Sequence, residues 1–140
     1  MRAAMIETMR KRFEEVLRAG LRFDAPFAAM ELVAVEEGHV QMRLAVDERV
    51  QNLNGKLHGG ASATLVDIAG TLAIMTADRD GRAGVSTDLN VSYVAPGEGV
   101  VLIDARVIKS GRTLAFVAVD IRREADGVLV AQGRMTKAMS

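Results

Sequence analysis

The sequence predicts an α+β fold in which a sheet wraps one long apolar helix. Residues 59–77, GGASATLVDIAGTLAIMTA, are the longest apolar stretch in the chain. Their small-residue and Leu/Ile/Met content favours helix over strand, and so does their length. Strand-like segments flank this stretch, two ahead of it and four behind. A helix apolar on all sides has to be enclosed, and a strand-rich chain encloses it with a sheet. At 140 residues the chain makes a single domain, 1–140. A chain of that length buries roughly 68–70% of its extended surface.

Residues 1–20 read as an amphipathic helix, because Ile6, Met9, Phe13 and Val16/Leu17 recur at three- and four-residue steps. Gly20 closes it. Glu7, Arg10, Lys11, Arg12, Glu14 and Glu15 interrupt every apolar run that a secretory signal would need. The acids also oppose a mitochondrial transit peptide. The segment is expected to be a lid or packing helix of the mature protein, ahead of a core over 28–140.

AMELVAVEE and HVQMRLAV, joined at Gly38, read as a hairpin. Val40, Met42, Leu44 and Val46 alternate with Gln41, Arg43 and Ala45, as on a half-buried strand. His39 is expected on the surface of this hairpin. DERVQNLNGKL (47–57) is a polar connection into the long helix. A membrane span competes for 59–77, but Asp67, Ser62 and three threonines oppose it; Asp alone costs about 2.5–3.5 kcal/mol at a bilayer centre. After the DRDGR loop, strands are expected at 84–94, 100–109, 113–123 and 129–139. Pro96-Gly97, Ser110-Gly111 and Asp126-Gly127 separate them, the last two as tight hairpin turns. Tyr93 is expected to pack in the sheet. No repeat or low-complexity segment interrupts the pattern.

Composition narrows the chemistry. Lys+Arg and Asp+Glu are both 18, which argues against nucleic acid or an anionic membrane as partner. One Tyr, four Phe and no Trp are too few for a base-stacking platform. With no cysteine there is no disulfide, thiolate metal site or cysteine nucleophile. His39 and His58 are the only histidines, too few for a three-His metal site. No metal and no cofactor is expected, and a reducing compartment, the cytoplasm, is the expected location. The chemistry is left to carboxylates, hydroxyls, amides and backbone.

Asp67 is the only carboxylate between Lys56 and Asp78, midway along the most apolar helix. Burying an unpaired carboxylate costs several kcal/mol. Two readings stand: a satisfied structural acid, or a functional one. Upstream, Gly59 and Gly60 sit where the helix begins, so their amides lack intrahelical acceptors and aim at incoming negative charge. They make an oxyanion hole or merely a tight entry into the helix. The eight-residue separation puts Gly59 about 12 Å from Asp67 along one helix. A water-activating carboxylate and an oxyanion donor must each lie within about 3–3.5 Å of the reacting centre, directly or through one water. One helix cannot supply both, whereas two antiparallel copies can, so a site of this kind requires at least a dimer.

The pattern N-x-x-G-x-L-H-G-G followed by T-L-V-D, then GVSTDLNVSYVAP, GRTLAFVAVDI and AQGRMTK, resembles the PaaI-type acyl-CoA thioesterases of the hotdog fold. The likeness covers roughly residues 30–138 and preserves the order of its motifs. It implies an antiparallel sheet around a central helix, and hydrolysis of an acyl- or aryl-acyl-CoA to free acid and coenzyme A. By the resemblance Asp67 is the general base, the Gly59 amide polarises the carbonyl with help from the Asn52 side chain, His58 sits near the leaving sulfur and Ser86 positions the water. It also implies coenzyme A contacts at Gly60, Lys109, Gly111, Arg112, Thr113, Arg134 and Lys137. Four of these, Lys109, Arg112, Arg134 and Lys137, are expected to cluster at the ends of the last strands; hairpin-tip charges are as often simply solvated. Asp88 and Asn90 fit either the site or a polar outer face. A homodimer, and a homotetramer as a dimer of dimers, is the implied assembly.

Two other functions are weighed. A non-catalytic acyl-CoA-binding module has no use for an acid in an apolar helix. A dehydratase of this fold carries an HFPxxPxMPG-type segment, which is absent. The residues do not separate a general-base route from attack by Asp67 through an anhydride. Nor do they fix the acyl group or exclude a carrier-protein thioester.

Overall fold

The computed structural model describes residues 2–140. The order is α1 (Arg2–Ala19), β1 (Glu31–Glu36), β2 (His39–Ala45), α2 (Gly59–Ala77), β3 (Val85–Tyr93), β4 (Val100–Ser110), β5 (Leu114–Arg123) and β6 (Leu129–Ala138). Short 3₁₀ turns occupy Arg22–Phe27 and Glu48–Val50. The strands form one antiparallel sheet in the order β1-β2-β4-β5-β6-β3, with β1 and β3 at its edges.

Period-two alternation sends one face of each central strand to the core. Val40 and Met42 on β2, Val101, Ile103 and Ala105 on β4, and Ala115, Val117, Val119 and Ile121 on β5 have no exposed surface. They close around α2, where Leu65, Val66, Ala69, Leu72, Ala73 and Ile74 are equally buried. This explains the membrane-like composition: α2 has the length and hydropathy of a span, but its apolar faces lie against the sheet. One stripe of α2 stays partly open: Gly60, Ala63, Thr64, Asp67, Thr71 and Met75 recur at three- and four-residue steps on the side the sheet leaves uncovered.

The ends of α2 are fastened separately. Asp78 at the C-terminus is 2% exposed, and a carboxylate there opposes the helix dipole. Arg82 compensates, donating from Nη2 to Oδ1 at 2.8 Å and from Nε to Oδ2 at 3.1 Å. Backbone N–H groups of Asp80 and Arg82 also donate to Oδ2. These bonds hold the Asp78 carboxyl below its ordinary pKa. Arg82 further donates to the carbonyls of Met139 and Arg112, tying the helix end to the last strand and to the β4–β5 hairpin.

Two details differ from the sequence expectation. His39 is on the outer sheet face but only 22% exposed, with Nε2 2.6 Å from Oδ1 of Asp104 across β2–β4. Gln41 and Arg106 hold the same carboxylate. The partner lies far along the chain, so alternation alone does not find it. The hairpin loops at 111–113 and 124–128 are also longer than two-residue turns.

The helix approaches the sheet closely over β6. A Cβ on Gly133 would stand 2.7 and 2.9 Å from the Val66 methyls and 3.2 Å from the Asn90 carbonyl oxygen. Gly133→Ala is therefore expected to destabilise by about 1–3 kcal/mol through overpacking. The measurement is the urea midpoint at unchanged m, and a wild-type midpoint would contradict this packing.

Candidate active site

The connection before α2 is built to present amides. Asn52 Oδ1 accepts from the backbone N–H of Asn54 at 2.9 Å and of Lys56 at 3.1 Å. That fixes the loop through one side-chain atom and leaves the Asn52 Nδ2 without an acceptor among the described residues. His58 is the N-cap of α2, its Nδ1 accepting from the Gly60 N–H at 2.8 Å. An Nδ1 that accepts places the ring proton on Nε2. The Gly59 N–H has no acceptor among the described residues, as expected for the first amide of a helix. Asn52 and His58 line a common cleft with Gln51, Leu53 and Asn54. On its other side His58 borders an apolar hollow of about 600 Å³, walled by Phe23, Pro26 and Phe27.

Tyr93 corrects the sequence reading. Its side chain is 60% exposed, and its hydroxyl donates to the Gly59 carbonyl at 2.9 Å. A Cβ at position 59 would lie 3.4 Å from the Tyr93 ring, so this close approach favours glycine. The alternation Leu89, Val91, Tyr93 carries the signal, since it turns the tyrosine to the helix side of β3.

Two turns further along α2, Asp67 meets the sheet. Ser86 Oγ donates to Asp67 Oδ1 at 3.0 Å, with the Met135 thioether 3.3 Å away as the weaker alternative acceptor. Asp67 Oδ2 has no hydrogen-bond partner among the described residues, and Asp67 itself is only half-buried, on the open stripe of α2. A bulge in β3 between Ser86 and Asp88 lets Ser86 face inward in step with Leu89 and Val91. The same register puts Asp88 opposite Thr136 and Asn90 opposite Arg134, on the outer face and away from Asp67.

The four basic residues expected to cluster are dispersed. Lys109 is next to last in β4, while Gly111, Arg112 and Thr113 form the β4–β5 loop near the C-terminal end of α2; Arg112 and Gly111 border a cleft with Arg79 and Arg82. Arg134 is exposed on the outer face. Lys137 is 5% exposed on the inner face, opposite Ser86. The strand period separates the two: Ala131, Gly133, Met135 and Lys137 point in, and Arg134 points out. Gly60 stays at the helix start with its N–H committed to His58. No cluster of metal-ligating side chains occurs among the described residues.

Each chain thus carries a carboxylate with a hydroxyl at one point of α2, and a free amide with a side-chain amide at its N-terminus. The comparisons with known proteins bear on what such a pair is for. A family model for the thioesterase superfamily matches residues 54–130. The chain is 41% identical over 136 residues to the human acyl-coenzyme A thioesterase 13, covering 93% of this chain and 96% of that protein. This chain belongs to the thioesterase superfamily.

Solved members of the superfamily share the architecture. The zebra fish thioesterase superfamily member 2 superposes with a TM-score of 0.89 at 39% identity, covering 96% of this chain and 98% of that one. The protein smu.793 of Streptococcus mutans, solved bound to acetyl CoA, gives a TM-score of 0.73 at 28% identity over 79% of this chain and 88% of its own. The antiparallel sheet around a central helix is the hotdog fold of these enzymes.

The capping role of His58 is testable on its own. His58→Ala is expected to cost about 1 kcal/mol of stability by freeing the Gly60 N–H, and His58→Asn to keep most of it. Thermal unfolding distinguishes them; equal stability of wild type and His58→Ala would remove the cap from this account.

Proposed function

We propose that this thioesterase hydrolyses acyl-CoA thioesters at sites shared between two copies of the chain. The observation that carries the reading is the pair formed by Ser86 and Asp67, with one carboxylate oxygen free, about two helical turns from the unpartnered Gly59 amide. At about 1.5 Å per residue these groups lie about 12 Å apart in one chain, too far to act on one carbonyl. The names of the relatives and the acetyl CoA bound to smu.793 support the substrate class.

The free edge of β3 supports the shared site. Val85, Tyr93 and Val94 are 68%, 60% and 59% exposed on or beside this edge strand, an unpaired edge of the kind that pairs with another chain. Antiparallel pairing of β3 with itself about Asn90, with the bulge between Ser86 and Asp88 taking up one residue, sets Ser86 of one copy opposite Tyr93 of the other. Ser86 is bonded to Asp67 and Tyr93 to Gly59. The same twofold therefore carries the carboxylate of each chain toward the amide of its neighbour, twice per dimer.

In that site Asp67 Oδ2 takes a proton from a water that the Ser86 oxygen helps to hold. The water oxygen bonds to the thioester carbon, and the carbonyl electrons move to oxygen. The Gly59 N–H and the Asn52 Nδ2 of the second copy receive that oxyanion. Collapse breaks the C–S bond; the thiolate leaves beside His58 Nε2–H of the second copy and takes up the proton that Asp67 received from the water, which restores the carboxylate and gives free acid and coenzyme A. Lys109, Gly111, Arg112, Thr113 and Arg134 are the groups we assign to the coenzyme A phosphates. Pairing of two dimers into a tetramer is the larger assembly we propose.

Asp67→Asn is expected to keep the fold while lowering thiol release from acyl- and aryl-CoA substrates by about 10²–10⁴-fold, the weight of a positioned general base. A thiol reagent measures this without protein background, since the chain has no cysteine. Undiminished release would contradict Asp67 as base. Tight binding of a CoA ester without release by the wild type would make the protein a binding module instead.

A further inference from the structure

The Gly59 amide can receive an oxyanion efficiently only if it is held still, and its own sequence works against that. Gly59 and Gly60 open α2, so the two residues with the widest backbone freedom lie at a helix end, where structure frays first. A donor that must be reoriented during the reaction loses much of its effect.

The structure restrains this turn from several sides. The His58 N–H donates to the Val50 carbonyl at 2.8 Å, and the His58 carbonyl accepts from the Ser62 N–H at 3.0 Å. The peptide joining Gly59 to Gly60 is held at both ends. Its N–H donates to His58 Nδ1 at 2.8 Å, and its carbonyl accepts from the Tyr93 hydroxyl at 2.9 Å. A peptide unit is planar, so a bond at each end fixes its tilt about the chain. Turning that unit would swing the adjoining peptide, which carries the Gly59 N–H.

Among these bonds, only the one from Tyr93 ties the turn to the sheet; the others stay within α2 and the segment leading into it. Its phenol is a rigid tether with two side-chain torsions, and the ring stands 3.4 Å from where a Cβ on Gly59 would lie. Tyr93 also ends the strand that carries Ser86, so β3 orients the carboxylate at one end and the amide at the other.

We propose that Tyr93 is a positioning residue of the oxyanion hole, its hydroxyl holding the Gly59–Gly60 peptide so that the Gly59 N–H stays aimed at the thioester oxygen. The proposal rests on the reading of Gly59 as oxyanion donor. Tyr93 acts through the backbone of Gly59 and not on the substrate, because its one hydroxyl hydrogen is committed to the Gly59 carbonyl.

The test is steady-state hydrolysis of CoA esters by the full chain, comparing wild type with Tyr93→Phe, which keeps the ring and removes the hydroxyl. Thr87→Val is the control: it removes a hydroxyl on the same strand that bonds the Thr136 carbonyl instead of α2. The oxyanion exists only in the transition state, so a looser donor lowers kcat and leaves KM in place. Tyr93→Phe is expected to lower kcat about tenfold with KM within about twofold of wild type. Backbone hydrogen exchange over residues 57–61 is expected to quicken in the same variant. Tyr93→Met, measured alongside, is expected to show the same split, and Thr87→Val to keep the wild-type kcat. A wild-type kcat in Tyr93→Phe, with Asp67→Asn inactive, overturns the role of Tyr93 and leaves the hydrolytic reading standing. A raised KM at unchanged kcat also overturns it, because Tyr93 would then bind substrate directly. An equal loss of kcat in Thr87→Val overturns it as well, since the intact strand and not the tether would be what matters. Failure of the wild type to cleave any CoA ester overturns the hydrolytic reading itself, and this proposal with it.

Discussion

The organising constraint is the enclosure of α2. A nineteen-residue helix of this composition has to be taken out of water on nearly all sides, and a curved six-stranded sheet does so. The sheet closes over most of the helix circumference but not all of it. What remains open is the stripe that includes Gly60, Thr64, Asp67 and Thr71. The only charge on the helix lies in that opening, where it can be hydrated or meet a partner without the cost of full burial. Edge strand β3 runs beside the stripe and contacts α2 at two places, Ser86 against Asp67 in the stripe and Tyr93 against Gly59 at the helix start. Helix enclosure, the open stripe and the free sheet edge are thus one geometric fact.

The dimer we propose extends that fact. A single copy separates its carboxylate from its unpartnered amide by the rise of the helix, and no side-chain rotation closes such a gap. Twofold pairing at β3 converts the separation into a spacing between two equivalent sites. The division of labour then follows local chemistry. The end of a helix supplies amides that need an acceptor, and the middle of the same helix supplies an acid that a neighbouring hydroxyl orients.

Much of the fold is legible in the sequence because its signals are local. Helix α2 falls at residues 59–77 as its composition dictates, and the strands lie within one residue of their expected spans except β1, which begins two residues later than AMELVAVEE does. Alternation on β2 and β5 identifies the core directly. Strand order is not local: β3 crosses over to pair with β6, leaving β4 beside β2, and no residue in either strand announces this. For the candidate site, Gly59 and Asp67 are legible from residue type and spacing, and Asn52 only through the family resemblance. The meeting of Ser86 and Asp67 depends on a bulge and a tertiary contact between residues nineteen apart. Tyr93 and Lys137 are read differently by the structure because strand parity outweighs residue class. An aromatic at a strand end turned to the helix, and a lysine among inward positions, are each misjudged when parity is ignored. His39 joins Asp104 only once β2 and β4 are paired.

The shared site is tested most directly by mixing two inactive chains. Asp67→Asn removes the carboxylate, and Asn52→Asp removes the side-chain donor while keeping the oxygen that holds the loop. In a dimer of one of each, one site carries both defects and the other carries neither. After subunit exchange at equal concentrations, verified by mass spectrometry of the mixed species, random pairing predicts recovery to about a quarter of wild-type thiol release. Activity that stays at the level of the two parents, although mixed dimers are present, would contradict a site built from two chains.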